Sequence, residues 1–498
     1  MNPLKILMVT SEMAPLAKTG GLADMVAGLS SALTDLGHDV RVVFPRYECV
    51  GSHKPSVERI DSLSVQRGTP AGPATVEHLK LRQAADGVSS GPRLYAIRND
   101  DYYGRPGLYQ ESGRDYPDNL ARFAYFCRAV VELMCRWARE EGWMPDVVHG
   151  HDWQAGLLPV YLKSDSATLP FASAPRTLLT LHNVGYQGIF PGSQFSQLGL
   201  PQEYFSTDAL EFYGSVNLLK GGILFADYLT TVSPTYCREI QTPECGFGLE
   251  SVLHSRRDRI VGIVNGIDTE VWNPGTDRWI PARYTVENLD GKAICKTALQ
   301  RECGLPARDV PLLAVVSRLV SQKGIDLVVG AAPSILQQGA QLVVLGTGEP
   351  DLEVGLKTLE TAYPSLVKVF IRFDEGLSHR IQAGADLFLV PSRYEPCGLT
   401  QLYSLRYGTV PVVRRTGGLA DTIIGVSDSL SSSEWATGFL FEEPSDVALS
   451  KIMDRAITEF TMKPRWSKLI RCGMQTDVGW KGSARRYVGV YGEMMGEP

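Results

Sequence analysis

Two nearly identical heptapeptides stand one near each end of this chain: Lys18-Thr19-Gly20-Gly21-Leu22-Ala23-Asp24 and Arg415-Thr416-Gly417-Gly418-Leu419-Ala420-Asp421. Each follows a short apolar run, Lys5–Thr10 in the first case and Pro411–Val413 in the second, and each leads into a helix-like pattern. A strand that feeds a helix through paired glycines lets the backbone pass close to a ligand. The amide hydrogens at the start of the helix also attract an anion. One such loop is equally a plain strand-to-helix turn. The repetition, with a basic residue ahead of each copy, predicts two similar domains that each offer a loop to a phosphate in a cleft between them.

The length of 498 residues allows two to three domains with sizeable cores. The net charge of -6 argues against a nucleic-acid partner, whose footprint would be a basic face. Nine cysteines are scattered without a Cys-x-x-Cys, which fits reduced thiols better than disulfides or a zinc site. The most apolar long segment, 121–138, is broken by Arg122, Arg128, Glu132 and Arg136, so no membrane span is expected. The first strand begins within a few residues of Met1, and a cytoplasmic location is the expectation.

Short β-branched runs alternate with helical patterns along most of the chain, which predicts an α/β fold with parallel sheets covered by helices. The expected strands are 6–10, 40–44, 94–97, 147–150, 177–181, 228–232 and 260–264, then 312–317, 341–345, 367–373, 385–390 and 410–413. Residues 51–92 read as an irregular or antiparallel excursion, and 99–119 as a mobile loop. On the helical pattern within 121–138 Glu132 and Arg136 are expected to pair at i,i+4. A turn-rich stretch from Asn265 to Gly275 reads as a hinge, and Ser427–Glu434 as a polar loop. Trp480, Tyr487 and Tyr491 lie on one face of the last helical pattern, a face expected to dock. These breaks divide the chain into 1–265, 266–478 and a closing segment, 479–498.

Polar residues collect where strands end. Arg318 and Lys323 lie five apart on a strand-to-helix loop, so both can reach one diphosphate, although two unrelated surface charges would look the same. Glu395 follows strand 385–390 and is placed to accept hydrogen bonds from hydroxyls. It serves equally as a helix cap, with Pro396 as first helical residue. Cys397 reads as a packed thiol, since no base adjoins it. Asp152 and His182 follow first-half strands and suit the orientation of a hydroxyl. His149 and His151 suggest a metal only if a third ligand joins them, and none is announced, so no metal is expected. The Gly346-Thr347-Gly348 turn lacks the rest of a dinucleotide fingerprint and is read only as a close approach of backbone to a nucleoside.

Taken together, Lys18–Asp24, His151–Trp153, His182–Gly188, Thr231–Pro234, Asn265–Asp268, Ser317–Gly324, Ser392–Thr400 and Arg415–Asp421 resemble the glycogen and starch synthases of the bacterial and plastid type. The resemblance spans almost the whole chain. It implies the GT-B architecture, two Rossmann-like domains facing a cleft, with the last helix returning to the first domain. It implies transfer of glucose from a nucleotide sugar, ADP-glucose in bacteria, to the non-reducing end of an α-1,4-glucan such as glycogen, with retention, without metal and without cofactor. Carried over position by position, Lys18, Gly20 and Gly21 would contact the donor, and Arg318 and Lys323 would hold its diphosphate. Glu395 would bind the donor glucose, with Asp152 and His182 in the same pocket and Cys397 and Gly398 beside the donor. Thr416, Gly417 and Gly418 would give backbone hydrogen bonds to phosphate, and Asn265 would lie at the domain junction. Gln154, Met25 and Tyr394 depart from the family's usual histidine, valine and phenylalanine, and none of them is one of the expected donor cations. A nucleotide-sugar epimerase and a non-catalytic nucleotide-sugar or glucan-binding protein are the rival readings. A phosphorylase would need a pyridoxal-lysine signature that the sequence lacks.

Overall fold

The computed structural model describes residues 2–65, 72–80, 91–171, 174–426 and 435–496. The chain divides into two compact units: Met1–Asn265 with Trp480–Pro498, and Gly266–Gly479. Each is built on its own open sheet.

In the first unit the strand order is Ile260–Gly262, Tyr228–Thr231, Arg176–Leu181, Val147–His151, Lys5–Val9, Asp39–Pro45, Arg93–Arg98, Gly72–Lys80 and Ser56–Val65. Neighbours are parallel as far as Arg93–Arg98. Helices cover both faces of that part, so its strands are largely apolar; Ile6, Leu7, Met8 and Val9 are all fully buried. The last two strands join antiparallel, as the excursion in 51–92 allowed, and residues 66–71 and 81–90 of that stretch lie outside the described residues. Ser56–Val65 forms the edge and carries Glu58, Arg59 and Asp61, charges that discourage further strand pairing.

In the second unit the order is Val367–Ile371, Gln341–Gly346, Leu312–Val316, Leu387–Val390, Val410–Arg414 and Phe439–Phe441, all parallel. The strands expected from sequence are present within a residue or two at each end. Phe439–Phe441 escaped because three residues are too few to set a period.

The segment expected to be mobile is ordered. Asp100–Tyr103 is a short helix, and the buried Tyr103 donates its hydroxyl to the Arg122 carbonyl at 2.9 Å. Arg136 pairs with Glu140 at 2.8 Å instead of Glu132, one helical turn the other way. The Ser427–Glu434 loop lies outside the described residues.

The final helix, Trp480–Met495, belongs to the first unit and buries Tyr487 and Tyr491 completely. It crosses the first helix, Gly21–Asp35, at Gly28. A methyl group on Gly28 would stand 1.9 Å from the indole nitrogen of Trp480, so only glycine lets the two helices meet. The turn-rich stretch is anchored within the second unit: the Ile267 amide bonds the Val478 carbonyl at 2.8 Å. Trp272 is sandwiched between the rings of His379 and Tyr403, at 3.9 and 3.8 Å.

Candidate active site

In an open parallel sheet ligands bind beyond the carboxyl ends of the strands. In the first unit three neighbouring strands, Arg176–Leu181, Val147–His151 and Lys5–Val9, send their following loops to that edge, and these loops carry His182, Asp152 and Lys18.

Asp152 has φ 55° and ψ −169°, a region that side chains avoid and that costs about 1–3 kcal/mol. The strain aims its carboxylate at the next loop, where Oδ1 accepts the His182 amide at 2.7 Å. Burial pushes the Asp152 carboxyl up to about 7, against the opposing pull of the amides of His182 and Asn183. Beside it His151 Nδ1 and His182 Nε2 lie 3.1 Å apart and share one proton. Burial lowers His182 to about 3, and burial together with the neighbouring imidazoles holds His151 well below its usual value. Both rings are therefore neutral near pH 7. His151 Nε2 is buried and meets no hydrogen-bonding partner among the described residues. His182, singled out in the sequence for its place after a strand, thus packs its ring beside that of His151 at 5.4 Å. His149 itself is committed, with Nδ1 to the Tyr491 hydroxyl at 2.9 Å and Nε2 to Thr180 at 2.6 Å.

The Lys18–Gly21 loop is organised by Glu12, which sequence reading passed over. Its buried carboxylate accepts the Thr19 amide at 2.7 Å, the Thr19 hydroxyl at 2.6 Å, the Gly20 amide at 3.2 Å and the Tyr109 hydroxyl at 2.8 Å. The Thr19 and Gly20 amides thus already meet an anion, and those of the helix start at Gly21 follow them. A side chain at Gly20 would meet nothing within 4 Å, so the fold itself does not demand this glycine. Lys18 is exposed and pairs with Asp24 at 2.7 Å. Asn265 is buried at the end of this unit, and its side-chain oxygen lacks a partner among the described residues.

In the second unit four adjacent strands again bring their loops together, at 317–324, 346–349, 391–399 and 415–418. Lys323 Nζ lies 2.5 Å from Glu395 Oε2, which also accepts the Ser392 hydroxyl at 2.8 Å. Glu395 is buried, and a buried carboxylate needs such partners. Gly324, in the left-handed region at φ 66°, brings its loop against Pro391, whose carbonyl would stand 2.2 Å from any added Cβ. Arg318 is exposed on the same loop. The helix expected to begin at Pro396 begins at Thr400, so Glu395 caps nothing and is held by its ion pair.

The second glycine pair works differently from the first. A Cβ on Gly417 would lie 1.9 Å from the Glu395 carbonyl oxygen, and one on Gly418 2.3 Å from that of Cys397. The Gly418 amide donates to the Glu395 and Pro396 carbonyls at 3.1 and 3.2 Å, and the Thr416 amide to Arg414 at 3.0 Å. These two amides have partners inside the protein, beside Glu395. Arg415 pairs with Glu442 at 2.7 Å. Cys397 is buried, and Gly398, at φ 73°, makes the turn that Gln401 closes through its side-chain amide. Gly346 and Gly348 fit closely against the carbonyls of Ser317 and Leu319, which explains that turn without a nucleoside.

Among the described residues no group of three histidine, cysteine or acidic side chains is arranged to hold a metal. No helix among them is long and apolar enough to cross a membrane.

Residues 5–255 match the starch synthase catalytic domain family, and residues 299–471 match glycosyl transferases group 1. A glycogen synthase of Syntrophotalea carbinolica is 43% identical over 490 residues, covering 98% of each chain. The catalytic domain of starch synthase IV from Arabidopsis thaliana, solved bound to ADP and acarbose, superimposes with a TM-score of 0.89 at 32% identity, covering all of both chains. Sucrose-phosphate synthase from Thermosynechococcus elongatus, at 17% identity and a TM-score of 0.58 over 99% of each chain, shares the fold alone. The architecture is GT-B, and the chain belongs to the glycogen and starch synthase family of glycosyltransferases.

Proposed function

We propose that the protein transfers glucose from ADP-glucose to the 4-hydroxyl at the non-reducing end of an α-1,4-glucan, with retention. The observation that carries this reading is the Lys323–Glu395–Ser392 cluster at the carboxyl edge of the second unit's sheet. A departing nucleoside diphosphate gathers negative charge, and Lys323 with Arg318 supplies fixed cations to meet it. Glu395, held by Lys323 and Ser392, accepts hydrogen bonds from the glucosyl hydroxyls. In the first unit Asp152, His182 and the open Nε2 of His151 orient sugar hydroxyls, and Lys18 with the open backbone at Gly20 and Gly21 offers a cation and room to a sugar phosphate. Asn265, Cys397, Gly398, Thr416, Gly417 and Gly418 complete the donor-binding surface. The leaving phosphate oxygen takes the acceptor's proton in a front-face displacement. The starch synthase solved bound to ADP supports ADP as the nucleotide.

Incubation with labelled ADP-glucose or UDP-glucose plus glycogen tests this directly. Label should enter polymer, faster from ADP-glucose. Label in an altered small sugar would establish an epimerase, and binding without turnover a non-catalytic protein.

A further inference from the structure

The loop that begins at His182 runs on to a small antiparallel sheet, Ile189–Pro191, Ser215–Asn217 and Glu211–Phe212, at the surface of the first unit. Phe212 pairs with Ser215, so Tyr213-Gly214 is a two-residue hairpin turn with φ of 50° and 80°. Both positions of such a turn lie in the left-handed region, which Asn-Gly or Gly-Gly fills without strain and a tyrosine does not. Nothing is gained inside the fold for that strain, since Tyr213 is 86% exposed. A second aromatic repeats the pattern. Phe247 has φ 52°, precedes Gly248 at φ 85°, and is 41% exposed.

The two turns are neighbours. A Cβ on Gly248 would stand 3.1 Å from the Phe212 ring, and that ring lies 4.7 Å from Tyr213. The Phe247 carbonyl accepts the side-chain amide of Gln187 at 3.0 Å, next to Tyr186, which is 53% exposed. Three exposed aromatic rings therefore share one surface, and Tyr186 is on the same loop as His182. A strained residue kept at a surface turn points to function.

We propose that Tyr186, Tyr213 and Phe247 form a stacking platform for the α-glucan acceptor. This rests on the activity proposed above. Flat, rigid aromatic faces suit the apolar C–H faces of successive pyranose rings, at low cost in side-chain entropy. A chain held here reaches along 182–188 with its non-reducing end toward His182.

The test uses Tyr213→Asn and the double variant Tyr213→Asn/Phe247→Asn, because asparagine tolerates left-handed backbone and keeps the turns. Retardation in a native gel cast with glycogen, run without donor, should fall at least fivefold for the double variant. KM for glycogen should rise by a similar factor, with KM for ADP-glucose within twofold of wild type. Phe373→Ser, which removes an 87% exposed aromatic of the second unit, should change neither. Unchanged retardation and glycogen KM in the double variant, or an equal loss in Phe373→Ser, would overturn the platform. A lowered mass in light scattering with glycogen retardation intact would do the same, by making the patch a self-association face. Wild type that binds glycogen in the gel but transfers no glucose to it would sink the activity and leave the platform standing.

Discussion

Asp152 combines a backbone that resists its own conformation with a carboxyl raised to about 7, and the two belong together: the strain places the group where water is scarce. Its anionic fraction grows as pH rises through 7. We expect kcat/KM to climb through that pH. Asp152→Asn should lose the inflection and roughly 10- to 100-fold in rate, the worth of a hydrogen bond to a charged group. A variant that kept the wild-type profile would assign the inflection elsewhere. His182 and His149, lowered to about 3, do not change charge in that range. Lys323→Ala should lower kcat by about 100- to 1000-fold, corresponding to about 3–4 kcal/mol, the cost of a lost electrostatic donor. Turnover within a few-fold of wild type would remove Lys323 from the diphosphate. The pair Lys323–Glu395 spans 72 residues, so neither partner announces the other in sequence, although each was legible as a polar residue after a strand.

At the level of elements, the strands were legible because parallel sheets covered on both faces must be apolar throughout. The two glycine heptapeptides teach the limit of that reading. They are near twins in sequence, yet Gly20 faces open space while Gly417 and Gly418 are pressed against the backbone of 395–397. Spacing cannot distinguish a glycine kept for a ligand from one kept for packing, because the neighbours that decide come from elsewhere in the chain. Glu12 was missed for the same reason: its four donors arise from a loop folding back and from Tyr109 far along the sequence. Glu12→Gln keeps the shape but replaces one acceptor oxygen with a donor facing N–H and O–H groups. It should loosen the Lys18 loop and raise KM for the donor sugar about tenfold, with kcat changed less; an unaltered KM would show that the loop holds without it. Gly417→Ala, by contrast, should cost stability and activity together.

At the scale of the molecule, acid should weaken the first unit. His149, His151 and His182 resist protonation when folded and accept it freely when unfolded, so each loses at most about 1.4 kcal/mol per pH unit as pH falls below 6.5. Asp152 opposes them between 7 and 3.8, because there the native state holds its proton and the unfolded chain does not. Three groups outweigh one, and the urea midpoint should drop between pH 7 and pH 5, less so in His149→Gln; a rise on acidification would contradict this balance. Gly28→Ala should destabilise by about 1–3 kcal/mol through overpacking against Trp480, read from the same urea curves.

That contact has a consequence for how the molecule comes into being. A ribosome emits Gly28 and His149 before any of the second unit, while Trp480 and Tyr491 emerge only after all of it. The later-made middle portion has all its own strands before release, whereas the earlier-made portion waits with an unfilled slot for the final helix. Birth order and completion order are thus reversed, and a nascent chain stalled before position 480 should be protease-sensitive in the half that was synthesised first.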